Sequence, residues 1–74
     1  MRKTAAPRAK KLGRNIARLR SQAFLTQERL AEKAGISTRY LQDLEMGLYT
    51  PTIFVVDGLR TTLGVSWEIF LDGC

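Results

Sequence analysis

Two short amphipathic segments separated by one glycine constrain the fold of this chain more than any other feature of its sequence. Within residues 27–33 Leu30 faces one side, and Gly35 follows where a glycine can adopt the left-handed conformation that ends a helix. Leu41 and Leu44 then recur at the spacing of about one helical turn. The pattern predicts two short helices joined by a tight turn.

Hydroxyl side chains precede most of the predicted helices. Thr26 stands before the first short helix and either Ser37 or Thr38 before the second, where a side-chain oxygen can accept from free backbone N–H groups. Thr52 and Ser66 hold the same position before two later apolar segments. These residues therefore predict where the helices begin.

The segment from Thr52 to Leu63 carries conflicting signals. Residues 52–56 are β-branched or aromatic, which alone favours a strand, and Gly58 costs a helix about 1 kcal/mol relative to alanine. No partner strand is evident, and an unpaired strand would leave its backbone groups unsatisfied. We therefore predict a helix that ends at Gly64. Its predicted inward face consists of Ile53, Val56, Leu59 and Leu63.

The remaining segments complete an all-α bundle of five helices that contains the predicted helix-turn-helix. A first helix begins at Pro7, which suits a first turn, and a short last helix contains Trp67 and Phe70. A chain of 74 residues suits one domain with a modest core. We expect residues 1–6, which lack a periodic apolar pattern, to be a flexible basic arm preceding a domain of residues 7–74.

The residue inventory argues against an enzyme. Histidine is absent and Cys74 is the single cysteine, so the commonest general base and a thiolate metal cluster are both missing. Glu28, Glu32 and Asp57 are more simply exposed helix residues than a catalytic set. We expect no cofactor, metal or small-molecule ligand.

The longest apolar run, residues 53–56, is too short for a membrane span, and no secretory leader is evident, so we expect a cytoplasmic protein.

Positive charge is concentrated at the start of the chain. The net charge is +5, and eight of the twelve lysines and arginines precede the first acidic residue, Glu28. Such a basic region is typical of proteins that displace counterions from a phosphate backbone, although a basic run can also be a merely solvated surface. The charge pattern therefore favours a nucleic-acid partner.

The segment TQERLAEKAGISTRYLQDLEMG, residues 26–47, resembles the DNA-binding unit of the phage repressor and Cro family of XRE-type bacterial regulators. With Pro51 and the sequence LGVS at residues 63–66, the resemblance covers about residues 9–71. It implies a repressor-like fold whose third helix enters the major groove of double-stranded DNA. The matching residues of the unit are Gln27, Leu30, Ala31, Gly35, Ile36, Leu41, Leu44, Glu45 and Gly47.

The side of the third helix opposite Leu41 and Leu44 carries the candidate base-reading residues. Arg39 is the strongest candidate, because a guanidinium can bond both O6 and N7 of guanine, which contributes about 1–3 kcal/mol of discrimination against other bases. The alternative is that Arg39 is a surface arginine without a partner. Asp43 either accepts from cytosine N4 or orients Arg39 through an i,i+4 ion pair. The resemblance implies a base-reading role for Thr38, at the N-terminus of the helix, and for Arg39 and Asp43. With Gln42 on the same open side, the predicted base-reading set is Thr38, Arg39, Gln42 and Asp43.

A second set is predicted to contact phosphates. The resemblance implies this role for Gln27 at a helix N-terminus, where backbone N–H groups converge on an anion. Tyr40 can donate its hydroxyl, although packing of its ring against the second helix is the favoured role. The resemblance also pairs Glu45 with Arg20. The predicted phosphate-contacting residues are Gln27, Tyr40, Lys10, Lys11, Arg14 and Arg20.

Large apolar residues near the C-terminus predict a dimer interface, because so small a core cannot readily hide them all. The predicted interface consists of Trp67 and Phe70 with Phe54 or Val55; the alternative is that Trp67 simply caps the core. We therefore expect a homodimeric transcriptional regulator on a pseudo-palindromic operator whose half-sites lie about 34 Å apart. The rival hypothesis is a protein-interaction module, such as an antitoxin component or a bridging factor.

Three positions depart from the family pattern. Phe24 stands where relatives commonly use glycine to end the first helix, so that cap must be built differently or carry strain. Residues 48–50, often basic in relatives, contain no lysine or arginine. Met46 replaces a residue that is often polar, and the sequence offers no interpretation of this change.

Overall fold

The computed structural model describes residues 7–74, which form five α-helices and confirm the predicted all-α fold. The arm predicted for residues 1–6 lies outside the described residues. None of the helices within residues 7–74 has the length and apolar character needed to cross a membrane. The helices are α1 (Pro7–Gln22), α2 (Gln27–Ala34), α3 (Thr38–Glu45), α4 (Ile53–Leu63) and α5 (Trp67–Phe70).

Local capping chemistry fixes the helix boundaries. The hydroxyl of Thr26 accepts from the backbone N–H of Arg29, and Ser37, rather than Thr38, does the same for α3. Thr52 and Ser66 cap α4 and α5 as predicted. The α2 helix ends at Gly35, which has a φ of 73°. The two short helices and the tight turn between them are therefore confirmed.

A single apolar core lies between the helices. The α3 helix packs against α1 and α2, α4 packs against α2, and α5 closes the core against α1. The prediction that Ile53 faces inward is wrong: it is 62% exposed, because the first turn of α4 projects beyond the core that Val56 and Leu59 fill. The core residues are Ile16, Leu19, Leu30, Ala31, Leu41, Leu44, Val56, Leu59 and Phe70.

Two buried residues of α1 that the sequence analysis did not single out determine how α1 packs. A Cβ atom on Gly13 would lie 2.6 Å from the carbonyl oxygen of Glu45, so α1 crosses α3 at a distance that only glycine permits. Asn15 is fully buried, and its amide nitrogen donates to the carbonyl oxygens of Phe70 and Asp72. These contacts fix α1 against α3 on one side and against the C-terminal turn on the other.

Phe24 ends α1 in the manner of a glycine. Its φ is 58°, in the left-handed region, and its side chain is 95% exposed. The next residue closes the turn, since the backbone N–H of Leu25 donates to the carbonyl oxygen of Arg20 at 3.1 Å. The first helix therefore ends with a left-handed residue, as in relatives that have glycine at this position. Phenylalanine bears steric strain in this conformation.

Candidate nucleic-acid interface

One face of α3 lies open while the opposite face fills the core. Leu41 and Leu44 are buried, whereas Gln42 is exposed and Thr38 is half-buried at the N-terminal end of the helix. The side chain of Arg39 is 83% exposed. The structure therefore brings the predicted base-reading residues onto one accessible surface of a short helix.

Arg39 and Asp43 form an ion pair on that surface. The Nε atom of Arg39 lies 3.4 Å from Oδ1 of Asp43, one helical turn farther along α3. The Asp43 side chain is only 15% exposed, whereas that of Arg39 is 83% exposed. The pair has the i,i+4 geometry that the orienting role of Asp43 requires, and both roles predicted for Asp43 stay predictions.

The N-terminus of α2 lies beside the end of α3. The side-chain nitrogen Nε2 of Gln27 donates to Oε1 of Glu45 at 2.9 Å. The hydroxyl of Thr26 accepts from the backbone N–H of Arg29, and the helical hydrogen bonds start with the N–H of Leu30. The backbone N–H groups of Gln27 and Glu28 therefore have no hydrogen-bond partner among residues 7–74. The phosphate contact that the resemblance implies for Gln27 stays a prediction, and no sequence pattern indicated its bond to Glu45.

Glu45 and Arg20 form the ion pair that the family resemblance implied. The Nε and Nη2 atoms of Arg20 donate to the two carboxylate oxygens of Glu45 at 2.8 and 3.2 Å. The Nη1 atom donates to the carbonyl oxygen of Leu25 at 3.0 Å. The side chains are only 18% and 7% exposed. Because its guanidinium is committed to these internal partners, Arg20 is removed from the predicted phosphate-contacting set.

Tyr40 is half-buried against the apolar core rather than fully exposed on the DNA-reading face. Its ring lies 6.3 Å from that of Tyr49, in the loop between α3 and α4, a neighbour that the sequence did not predict. Burial of the phenol disfavours its charged form and raises the pKa of Tyr40. The phenol, which is protonated at neutral pH at its ordinary pKa, therefore stays protonated to still higher pH.

The basic start of α1 lies next to the end of α3. A Cβ atom on Gly47, which follows α3, would lie 2.7 Å from Cα of Lys10, so the two backbones almost touch there. Lys10 and Arg14 are exposed and stand one turn apart on α1. Lys11 is half-buried and its stem runs along Gly73. The structure thus brings Lys10 near the DNA-reading helix and packs Lys11 partly against the C-terminal turn.

The predicted dimer residues separate into three groups by exposure. Phe70 is fully buried, so its assignment to a dimer interface is wrong: a helical apolar pattern does not distinguish a core residue from a surface one. Trp67 is partly exposed, with the guanidinium of Arg60 at 4.6 Å from its ring centroid, and Phe54 is 85% exposed. Val55 is half-buried and packs against the core.

Two short helices joined at Gly35, with one face of α3 open, define a helix-turn-helix protein. Residues 16–70 match the model of the helix-turn-helix family HTH_3, and the chain belongs to this XRE-type family of DNA-binding transcriptional regulators.

One relative is named as a transcriptional regulator and another as a repressor. The chain is 44% identical over 57 residues to an uncharacterised helix-turn-helix transcriptional regulator, y4dJ, of Sinorhizobium fredii, covering 77% of this chain and 74% of that protein. It is 37% identical over 55 residues to the immunity repressor of Bacillus phage phi105. That match covers 74% of this chain but only 38% of the phage repressor, so the chain corresponds to one part of that protein.

Solved structures show the same fold. The restriction-modification controller protein C.AhdI of Aeromonas hydrophila superimposes with a TM-score of 0.80 at 26% identity, covering 84% of this chain and 94% of the controller. SinR, a master regulator of biofilm formation solved in complex with DNA, superimposes with a TM-score of 0.76 at 31% identity. That match covers 82% of this chain and 98% of SinR.

Proposed function

We propose that this chain is a sequence-specific regulator that binds a pseudo-palindromic operator as a homodimer, with α3 reading bases in the major groove. The observation that carries the proposal is the open face of α3, on which Arg39 is exposed and held by Asp43. A guanidinium oriented in this way suits the paired acceptors of guanine. The proposed base-reading residues remain Thr38, Arg39, Gln42 and Asp43.

The α3 face chooses the sequence, and the start of α1 supplies much of the affinity. The α3 helix carries one arginine and two acidic residues, Asp43 and Glu45, and so contributes no net positive charge. The exposed Lys10 and Arg14 lie on the helix whose backbone touches Gly47 at the end of α3. Together with Gln27, Tyr40 and Lys11 they form the proposed phosphate-contacting set.

The proposed dimer interface centres on Trp67, Phe54 and the partly accessible Val55. Exposed apolar side chains also flank these residues at the start of α4 and around α5, which supports an interface in this region. Phe70 supports that surface from inside through an edge-to-face contact with Trp67, their ring centroids 6.5 Å apart. The flanking residues are Ile53, Ile69 and Leu71.

Titration of the protein into fluorescent duplexes of random sequence at two salt concentrations tests this function. A DNA-binding regulator is expected to bind tightly at low salt and to lose affinity steeply as salt rises, because each phosphate contact releases a counterion. Weak, salt-independent binding would instead support a protein-interaction module. Selection of bound duplexes from a random pool then gives the operator, its symmetry and its half-site spacing in one experiment.

A further inference from the structure

Gln27 donates to an acceptor that itself belongs to a buried ion pair. Its Nε2 atom lies 2.9 Å from Oε1 of Glu45, and Nη2 of Arg20 lies 3.2 Å from the same oxygen. The second oxygen of Glu45 accepts from Nε of Arg20 at 2.8 Å. One carboxylate thus joins α1, α2 and α3 in a single hydrogen-bonded cluster.

The chemistry of the acceptor fixes the orientation of the Gln27 amide. An ionised carboxylate accepts hydrogen bonds and donates none, so the amide nitrogen, and not the amide oxygen, must face Glu45. One amide N–H is then committed and the other is directed elsewhere. Because Arg20 neutralises the carboxylate and Glu45 is only 7% exposed, the acid adds little repulsion toward a nearby phosphate.

We propose that Glu45 is a positioning residue that holds the Gln27 amide so that its second N–H and the first backbone N–H groups of α2 converge on one DNA phosphate. This inference rests on the proposed DNA contact of Gln27. An untethered glutamine would lose side-chain entropy on binding, whereas the tethered one has already lost it in the free protein. The carboxylate would therefore contribute to DNA affinity without touching DNA.

The test replaces the buried ion pair by apolar residues. It then asks whether the resulting change in DNA affinity depends on the presence of the Gln27 side chain. Arg20→Met combined with Glu45→Leu removes the anchor at no change in net charge, and such replacements commonly preserve a fold. Gln27→Ala and the triple variant complete the cycle. The matched control is Arg29→Met with Glu32→Leu, which removes an exposed ion pair of α2.

The DNA affinity of each variant is measured with one fixed duplex, at a temperature well below the melting temperature of the variant proteins. Only variants whose backbone amide NMR spectra show a folded protein are compared. We expect Gln27→Ala and the apolar pair each to weaken binding by about threefold to tenfold, and the triple variant to be no weaker than Gln27→Ala. The control pair should stay within about twofold of the unmodified protein. Unchanged affinity in the apolar pair, or losses that multiply in the triple variant, would overturn the positioning role.

One further measurement, an NMR shift, and the affinity of Gln27→Ala taken alone separate the possible failures. In the free protein, the side-chain amide protons of Gln27 should show a hydrogen-bonded NMR shift. This shift should disappear in the apolar pair while the backbone amide shifts of the core residues stay unchanged, whereas general loosening of the fold would move both. Unchanged DNA affinity in Gln27→Ala would refute the contact between the Gln27 side chain and a DNA phosphate, and the positioning role of Glu45 with it. The proposed function would stand in that case if the protein still showed salt-dependent DNA binding. Should the apolar pair not fold, Glu45→Asp, whose carboxylate is withdrawn by one methylene, replaces it with the same expected loss.

Discussion

The side-chain amide nitrogen of Asn15 in α1 donates to the backbone carbonyl oxygen of Phe70 at the end of α5, at 3.1 Å, across 55 positions of sequence. The same nitrogen donates to the carbonyl oxygen of Asp72 at 2.8 Å. Arg18 donates to the amide oxygen of Asn15 at 3.0 Å. One buried side chain therefore ties the last helix, and the core position of Phe70, to the first helix.

Replacement of Asn15 by alanine should lower the free energy of unfolding by about 1–3 kcal/mol, because the buried carbonyl group of Phe70 and the partly buried one of Asp72 lose their donor. Denaturant unfolding followed by circular dichroism measures the change. The exposed Gln22, near the end of the same helix, provides the control, and Gln22→Ala should stay within about 0.5 kcal/mol. Equal stability of the two variants would show that the Asn15 contacts contribute nothing net.

Phe24→Gly should raise the free energy of unfolding by about 1 kcal/mol, because glycine adopts the left-handed conformation without the steric cost that Phe24 bears at a φ of 58°. Gly35→Ala is the reciprocal control. A Cβ atom on Gly35 would meet no atom within 4 Å, so alanine there would cause no steric clash with neighbouring residues. Backbone strain at a φ of 73° would remain, and the free energy of unfolding should fall by about 1 kcal/mol. A loss of stability in Phe24→Gly would show that the exposed ring has a structural role in the free protein.

Two helical glycines should respond to alanine in opposite directions. Gly13→Ala would push a methyl group against the backbone of Leu44 and Glu45, which cannot yield cheaply, and we expect a loss of at least about 2 kcal/mol. A Cβ atom on Gly58 would lie 3.9 Å from the carbonyl oxygen of Ala34, an ordinary contact. Gly58→Ala should therefore stabilise the protein by up to about 1 kcal/mol. Thermal melting of both variants decides the point, and a stable Gly13→Ala protein would contradict the close approach of α1 to α3.

Features set by neighbouring residues could be predicted from the sequence, and features set by distant partners could not. Thr26 and Gly35 act on backbone groups within one turn, so the ends of α2 followed from local chemistry. Gly13 and Asn15 look ordinary in a helix, since the groups that require them belong to α3 and the C-terminal turn. Phe70 was misassigned for the same reason, because helical periodicity does not distinguish the core from an exposed patch.

The candidate site shows the same division. The exposed face of α3 followed from the positions of Leu41 and Leu44 alone. The pairing of Arg20 with Glu45 followed only from the family pattern, since the residues stand 25 positions apart. The bond from Gln27 to Glu45 depends on the packing of α2 against α3 and had no signal in the sequence.

Substitutions on α3 and α1 should separate base reading from backbone binding. Arg39→Ala is expected to remove about 1–3 kcal/mol of discrimination at one guanine, because the bidentate contact is lost while phosphate contacts remain. Lys10→Ala should weaken all duplexes alike and reduce the slope of log affinity against log salt by about 1, because one phosphate contact is lost. Binding of both variants is measured against the selected operator, the operator with that guanine replaced, and a random duplex, each at several salt concentrations. If Arg39→Ala weakened operator and random duplex by the same factor, Arg39 would be a phosphate contact, and the base-reading role would have to pass to Thr38, Gln42 or Asp43.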